Sequence, residues 1–267
     1  MSRIDKKFRE LKKEGKRAFI AYITAGDPSL AVTKKIVLSL EGSGVDIIEL
    51  GIPFSDPIAD GPTIQAASHR ALAGGVTLKK IFSMMAGLRK TTRIPIAFMT
   101  YYNPVLKYGV ERFVKSCKLN GVDGVIIPDL PYEEAKDLIR CAKRGGVATI
   151  FLAAPTSTIK RTRDIVKNST GFIYYVSLTG VTGVRSKLPS EVASKVKAIK
   201  SMTRKPVAVG FGISRSGQAR DMARISDGVI VGSAIVKIIA DNQRDVKALI
   251  SKVSNFAKNI SRAIHAA

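Results

Sequence analysis

The chain carries, at residues 49–62, the sequence Glu49-Leu50-Gly51-Ile52-Pro53-Phe54-Ser55-Asp56-Pro57-Ile58-Ala59-Asp60-Gly61-Pro62. The mostly apolar run at residues 45–50 is typical of a buried strand, and Glu49 stands where such a strand ordinarily has Val or Leu. Burying an unpaired carboxylate is unfavourable. Glu49 therefore either pairs with a buried Arg or Lys or belongs to a functional site.

The loop after this strand carries two further carboxylates, Asp56 and Asp60. Pro53, Pro57 and Pro62 restrict its backbone, because proline fixes φ and reduces the number of accessible conformations. Several acidic side chains in a loop of restricted shape favour catalysis over a purely structural ion pair.

Short β-branched runs alternate with segments of helical periodicity along the chain. The predicted strands are residues 18–24, 45–50, 94–99, 123–127, 148–152, 172–176, 206–209 and 228–231. The predicted helices are residues 31–40, 78–88, 110–119, 133–142, 160–166, 191–199, 218–223 and 246–264. Near-continuous apolar strands indicate a parallel sheet that helices cover on its outer face.

Eight strand–helix units in 267 residues predict an α/β fold, a (β/α)8 TIM barrel forming a single domain over residues 1–267. An N-terminal helix is expected to cover the bottom of the barrel. Short extra helices are expected after strands 2 and 8, starting near Thr63 and Ser233. A doubly wound Rossmann sheet is the second choice, but no GxGxxG motif follows the first strand.

The charge balance of 44 Lys and Arg against 21 Asp and Glu gives a formal net charge of +23. Such an excess can indicate a nucleic-acid partner. The basic residues are spread over most helices, without the interleaved aromatic side chains that single-strand binders use. A solvated basic surface is therefore the better interpretation, and no nucleic-acid partner is expected.

No apolar run approaches the roughly 20 residues that a membrane helix needs, and the N-terminus lacks the apolar stretch of a secretory signal. We therefore expect a cytoplasmic protein with no membrane partner. Cys117 and Cys141 fall in separate helical segments without CxxC spacing, which predicts helix-packing residues. With His69 and His265 as the only histidines, no metal site is expected.

Glycines follow the seventh and eighth predicted strands, as Gly210-Phe211-Gly212 and Gly232-Ser233. In a barrel these loops and a short extra helix commonly bind phosphate, since glycine lets backbone N–H groups approach an anion at a helix N-terminus. Tight turns alone would also explain each loop. A third glycine-rich segment at residues 177–185 is either a lid hinged at Gly180 and Gly183 or a polar surface loop.

The sequence closely resembles the tryptophan synthase alpha chain family over nearly its whole length. Beyond residues 49–65, the matching motifs are Gly26-Asp27-Pro28, Met99-Thr100-Tyr101-Tyr102-Asn103-Pro104, Pro128-Asp129-Leu130-Pro131, Gly180-Val181-Thr182-Gly183, Gly210-Phe211-Gly212-Ile213 and Gly232-Ser233-Ala234-Ile235-Val236. The resemblance implies a TIM-barrel lyase that cleaves indole-3-glycerol phosphate to indole and glyceraldehyde 3-phosphate in tryptophan biosynthesis. It also implies an alpha2beta2 complex whose beta chain carries pyridoxal phosphate, with no cofactor in this chain.

The same resemblance assigns catalytic roles to three residues. Glu49 is implied to be the general acid and base, Asp60 the partner of the indole N–H, and Tyr174 a neighbour of the catalytic Glu. Indole-binding positions are Tyr22, Met99, Tyr101 and Ile126; phosphate-binding positions are Gly183, Phe211, Gly212, Gly232 and Ser233; positions facing the beta chain are Pro53, Asp56 and Pro57.

Two positions depart from the family pattern. Many members have Phe where Tyr22 stands, and some carry Arg near Leu178. Glycine loops alone do not identify the substrate, so another phosphate-sugar TIM-barrel isomerase or lyase is the alternative function. A basic, non-enzymatic nucleic-acid or scaffold protein is a third hypothesis.

Overall fold

The structure, a computed structural model, describes residues 1–176, 190–210 and 212–267. Within these ranges its strands are β1 (Ala18–Thr24), β2 (Ile47–Gly51), β3 (Ile96–Met99), β4 (Gly124–Ile126), β5 (Ala148–Ile150), β6 (Leu152–Ala153), β7 (Ile173–Val176), β8 (Val207–Gly210) and β9 (Gly228–Val231).

The helices are α1 (Arg3–Lys13), α2 (Leu30–Glu41), α3 (Pro62–Ala73), α4 (Leu78–Leu88), α5 (Tyr102–Tyr108), α6 (Val110–Leu119), α7 (Lys136–Gly145), α8 (Ile159–Asn168), α9 (Ser190–Met202), α10 (Ser216–Ile225), α11 (Ser233–Asp241) and α12 (Val246–His265). The extra helices predicted near Thr63 and Ser233 are therefore present as α3 and α11.

All strand pairs are parallel, in the order β5-β4-β3-β2-β1-β9-β8-β7-β6. β5 and β6 form the two ends of this order, and only Phe151 separates them along the chain. The fifth predicted strand is thus one extended segment whose first half pairs with β4 and whose second half pairs with β7. This arrangement nearly closes the sheet and confirms the predicted TIM barrel.

The interior and the outer face of the sheet carry separate apolar clusters. Alternate residues such as Ile20, Ile47 and Ile126 point into the barrel, whereas the side chains between them pack under the helices. Phe8 of α1 joins the interior cluster and lies 5.7 Å from Phe172, centroid to centroid. The N-terminal helix therefore covers the bottom of the barrel, as predicted.

The two cysteines are free thiols buried in α6 and α7. Burial raises the pKa of the Cys117 thiol well above its usual range. Both residues therefore pack helices, as predicted. Among the described residues, no single helix combines the length and hydropathy needed to cross a bilayer. The pair α3 and α4 meets these criteria only jointly, with a 95° bend between the two helices.

Candidate active site

Glu49 is the third residue of β2, and its side chain is only 1% exposed. Neither of its carboxylate oxygens has a hydrogen-bond partner among the described residues. Burial, with a smaller contribution from the charge of Asp60, raises the pKa of Glu49 to about 8. The carboxyl group is therefore largely protonated at neutral pH and available to give up a proton.

The other buried carboxylates of the described chain are paired with basic side chains. Asp27 accepts two hydrogen bonds from Arg70, at 2.9 and 2.8 Å. Asp46 lies 2.9 Å from His265. Asp123 accepts a hydrogen bond from Arg3 at 2.7 Å and another from Arg89 at 2.9 Å. Glu49 forms no such ion pair with any of the described residues. Of the two interpretations of this carboxylate, a buried ion pair or a functional site, the geometry therefore favours the functional site.

Asp60 lies on the loop between β2 and α3, close to the N-terminus of that helix. Burial raises its pKa to about 6, and a hydrogen bond from the Tyr101 hydroxyl acts in the opposite direction. The loop is tied down at two points: the Ala59 N–H donates to the Tyr101 hydroxyl at 2.9 Å, and Gln65 donates to the Asp60 carbonyl at 2.8 Å. The Phe54 ring stacks on Tyr101 at 5.2 Å. These contacts fix the carboxylate near the mouth of the barrel.

Two tyrosines flank Glu49 inside the barrel. Tyr22 of β1 is its partner in the parallel register with β2. Tyr174 of β7 is nine-tenths buried. Burial raises the pKa of both phenols well above the usual value, and the charge of Glu49 contributes in each case. Both tyrosines therefore stay neutral and can only donate or accept hydrogen bonds.

The Tyr22 hydroxyl lies 3.4 Å from the Thr24 hydroxyl. Its ring and hydroxyl lie over Gly51, where an added Cβ would overlap them. The side-chain ring also packs beside Gly232. The polar atom that distinguishes Tyr22 from Phe is thus held against the β1–β2 wall.

One cavity of about 800 Å³ brings most of the predicted residues together at the carboxyl ends of the strands. Glu49, Asp60, Tyr174, Tyr22 and Met99 all line it. Its walls combine these polar groups with apolar side chains, which is typical of a small-molecule site.

The same main cavity is also lined by Gly212, Gly232 and Ser233, in the segments that follow β8 and β9. Gly212 has a positive φ of 54°, a conformation that glycine adopts without strain. Ser233 is the first residue of α11, whose N-terminal N–H groups and dipole attract an anion. The predicted phosphate positions Gly183 and Phe211 lie outside the described residues, as does Leu178.

Some predicted residues lie outside the cavity lining. Tyr101 reaches the site through its hydrogen bonds to Ala59 and Asp60. Ile126 is fully buried in the interior cluster, beside Met99, its register partner on β3. In the loop before α3, Pro53 and Pro57 are buried and Asp56 is exposed.

Three polar residues that line the cavity were not predicted as site residues: Thr156, Ser157 and Arg161. They lie in the loop after β6 and on α8. Their position is set by the closure of the barrel, and no local pattern in the sequence indicates it.

Comparison with known proteins gives one consistent family. A family model described as tryptophan synthase alpha chain matches residues 8–265. The tryptophan synthase alpha chain of Geotalea daltonii is 49% identical over 266 residues, covering 100% of both chains. That of Caldanaerobacter subterraneus is 47% identical over 264 residues, covering 99% of this chain and 100% of the relative.

Solved structures agree with this assignment. The tryptophan synthase subunit alpha from Legionella pneumophila superimposes with a TM-score of 0.92 at 36% identity, covering 99% of this chain and 98% of that one. Together with the matched family model and the near-complete coverage of curated relatives, this similarity leads to one conclusion. The chain belongs to the tryptophan synthase alpha chain family.

Proposed function

We propose that Glu49 and Asp60 carry the alpha reaction in this chain, the cleavage of indole-3-glycerol phosphate to indole and glyceraldehyde 3-phosphate. The reaction is that of the family. The observation that supports these residues is a buried, unpaired carboxyl group with a pKa of about 8 lining the same cavity as a second carboxylate.

The reaction needs one proton delivered to carbon and one removed from oxygen. Protonated Glu49 gives its proton to C3 of the indole ring, which forms an indolenine-like cation. The resulting carboxylate takes the proton from the glycerol hydroxyl next to the ring, and the C–C bond breaks. The bonding electrons return to the ring to release indole, and the oxygen becomes the aldehyde carbonyl. Glu49 ends protonated, so the proton balance closes within one residue.

Asp60 supports this sequence electrostatically. With a pKa of about 6, Asp60 is ionised at neutral pH. Its carboxylate accepts a hydrogen bond from the indole N–H, and this N–H becomes more acidic as the ring gains positive charge. A negative charge held close to the positive charge that develops on the ring stabilises the transition state and so lowers the barrier to protonation of C3. Tyr101 positions this carboxylate, and Tyr174 provides a neutral hydroxyl beside Glu49.

The two ends of the substrate are assigned to different parts of the cavity lining. Gly212, Gly232 and Ser233, with Gly183 and Phe211, form the phosphate side of the proposal. Tyr22 and Met99 contact the indole ring, and Ile126 packs beside Met99 on the neighbouring strand. The N-terminus of α11 and the glycine backbone favour the phosphate group.

We also propose that the chain works in an alpha2beta2 complex in the cytoplasm, with pyridoxal phosphate held by the beta chain. Family membership supports a beta-chain partner. The loop bearing Pro53, Asp56 and Pro57 also carries Ile58, which is 83% exposed. Co-purification with a beta chain and coupled turnover from indole-3-glycerol phosphate to tryptophan test this assembly.

The experiment that tests the proposed activity is direct measurement of indole release. The purified chain, alone and with a beta chain, is given indole-3-glycerol phosphate and a panel of other phosphate sugars. We expect indole from the first substrate only. Turnover of another phosphate sugar without indole release would favour the alternative barrel isomerase or lyase.

A further inference from the structure

Arg161 of α8 lines two cavities at once. One is the main cavity of about 800 Å³ that contains Glu49 and Asp60. The other, here called the side cavity, has about 130 Å³ and also contains Asp129 and Phe151 in its wall. Arg161 and two further residues, Pro128 and Leu152, are common to both linings. The two cavities are therefore neighbours, and Arg161 is the longest side chain between them.

The contacts that hold Arg161 are weak. Its guanidinium lies 3.2 Å from the Glu133 carboxylate and 5.9 Å from the centre of the Tyr132 ring. The side chains of Arg161 and Glu133 are 47% and 43% exposed. Exposed ion pairs and exposed cation–π contacts each contribute little to stability. Moving the arginine therefore costs little compared with moving a core residue.

The topology places the aromatic end of the substrate on this side. With β5 and β6 counted as one position, the closed order has eight positions, and β4 lies four positions from β9 in either direction. Pro128 follows β4, and Gly232 follows β9. If the phosphate lies at the β8–β9 wall, the indole ring extends across Glu49 toward Pro128 and Leu152.

The side cavity has a mixed wall, in which Asp129, Tyr132 and Arg161 are the polar side chains. Ile127, Leu130, Phe151 and Ile165 contribute to its wall together with Leu152. Its volume is several times the roughly 30 Å³ that one water occupies in the liquid. It therefore has room for a small substituent on the indole ring.

We propose that Arg161 is a movable partition that determines which ring-substituted indole-3-glycerol phosphates the enzyme accepts. In the position observed, Arg161 closes the side cavity and limits the site to the unsubstituted ring. Its removal joins the side cavity to the main cavity. This inference rests on the proposed function, and it adds a specificity residue that lies on a helix remote from Glu49 in the sequence.

The test uses indole-3-glycerol phosphate and its four analogues that carry one methyl group at ring carbon 4, 5, 6 or 7. The value of kcat/KM for each analogue is divided by that for the unsubstituted substrate. In Arg161→Ala we expect this ratio to rise at least fivefold over the wild-type ratio for at least one ring position. Ratios that rise less than fivefold at all four positions overturn the proposal.

Two further variants test whether the effect is specific to Arg161. Glu133→Gln keeps the arginine but weakens its anchor, and we expect a rise of at least twofold for the same analogue. Arg163→Ala removes an exposed arginine from the same helix, and we expect an unchanged ratio. Absence of indole from the unsubstituted substrate in the wild type would contradict the proposed function itself. Normal release with unchanged ratios would contradict only the role of Arg161.

Discussion

Glu49 and Asp60 line one cavity, and the charge of Asp60 adds to burial in raising the pKa of Glu49. Their pKa values, about 8 and about 6, define the window in which one group is protonated while the other is ionised. Two carboxyl groups with separated pKa values can divide the work of proton transfer and charge stabilisation.

This separation predicts a bell-shaped pH profile. Activity requires ionised Asp60 and protonated Glu49, so kcat/KM should fall below about pH 6 and above about pH 8. Steady-state kinetics across pH 5–9 measure both limbs. As a control, Asp60→Asn removes the neighbouring negative charge and should lower the pKa of Glu49. Carbon-13 NMR of labelled glutamate measures this pKa. A profile that is flat between pH 5 and 9 contradicts the assignment.

The same pKa shift predicts a pH-dependent effect of Glu49→Gln on stability. The folded-state pKa is raised above the ordinary value of 4.5, so the native state is favoured by protonation and loses stability as pH rises toward 8. Gln cannot ionise, so the variant should gain stability over the wild type between about pH 5 and 8, on the order of a few kcal/mol. Urea unfolding at pH 5, 6.5 and 8 measures the difference. A constant difference over this range would mean that Glu49 is not buried as described.

Ser233→Glu separates helix stability from phosphate binding. A negative charge in the first turn of α11 interacts favourably with the helix dipole and stabilises the helix by about 0.3–1 kcal/mol, but it repels a substrate phosphate at the same place. We expect KM to rise at least about tenfold, equivalent to about 1.4 kcal/mol, with no loss in thermal stability. Ser216→Glu makes the same change at the start of α10, outside the cavity lining, and should leave KM unchanged. Equal KM in both variants contradicts the phosphate assignment.

Gly51→Ala tests the packing of the Tyr22 wall. A Cβ at this position would overlap the Tyr22 ring and hydroxyl, so the Tyr22 side chain or one of the two strands must shift. Overpacking of this kind costs about 1–3 kcal/mol, and we expect a matching loss in the free energy of unfolding together with reduced turnover. Gly217→Ala, whose added Cβ meets nothing within 4 Å, is the matched control in α10 and should keep or slightly raise the wild-type stability, since Ala is the better helix former. Wild-type stability in Gly51→Ala would show that Tyr22 is not held as described.

The sequence predicted best those helices and strands whose own residues carry the full hydrophobic pattern of the element. The bounds of β1, β9, α4 and α6 agree with the prediction at both ends. Helix α5 was missed because the Asp129 carboxylate, 27 residues away, accepts its first N–H at 2.9 Å. Likewise, the division of the fifth predicted strand into β5 and β6 depends on which neighbour each half pairs with. Contacts between distant segments decide both features.

The candidate site shows the same division. Glu49 was visible in the sequence because a carboxylate in an apolar strand conflicts with burial. Arg161 was not, because a basic residue on an amphipathic helix is ordinarily a solvated surface residue. Only the position of α8 beside the carboxyl ends of the strands reveals that Arg161 lines the main cavity.

The central claim, that Glu49 transfers both protons, is tested most directly by the kcat of Glu49→Gln for indole release from indole-3-glycerol phosphate. Glu134→Gln, an exposed glutamate on the loop before α7, is the matched control. Loss of a general acid and base predicts a fall in kcat of about 10²–10⁴-fold in Glu49→Gln, with the control unchanged. Retention of kcat within tenfold of the wild type, in a variant that is folded, would contradict the mechanism.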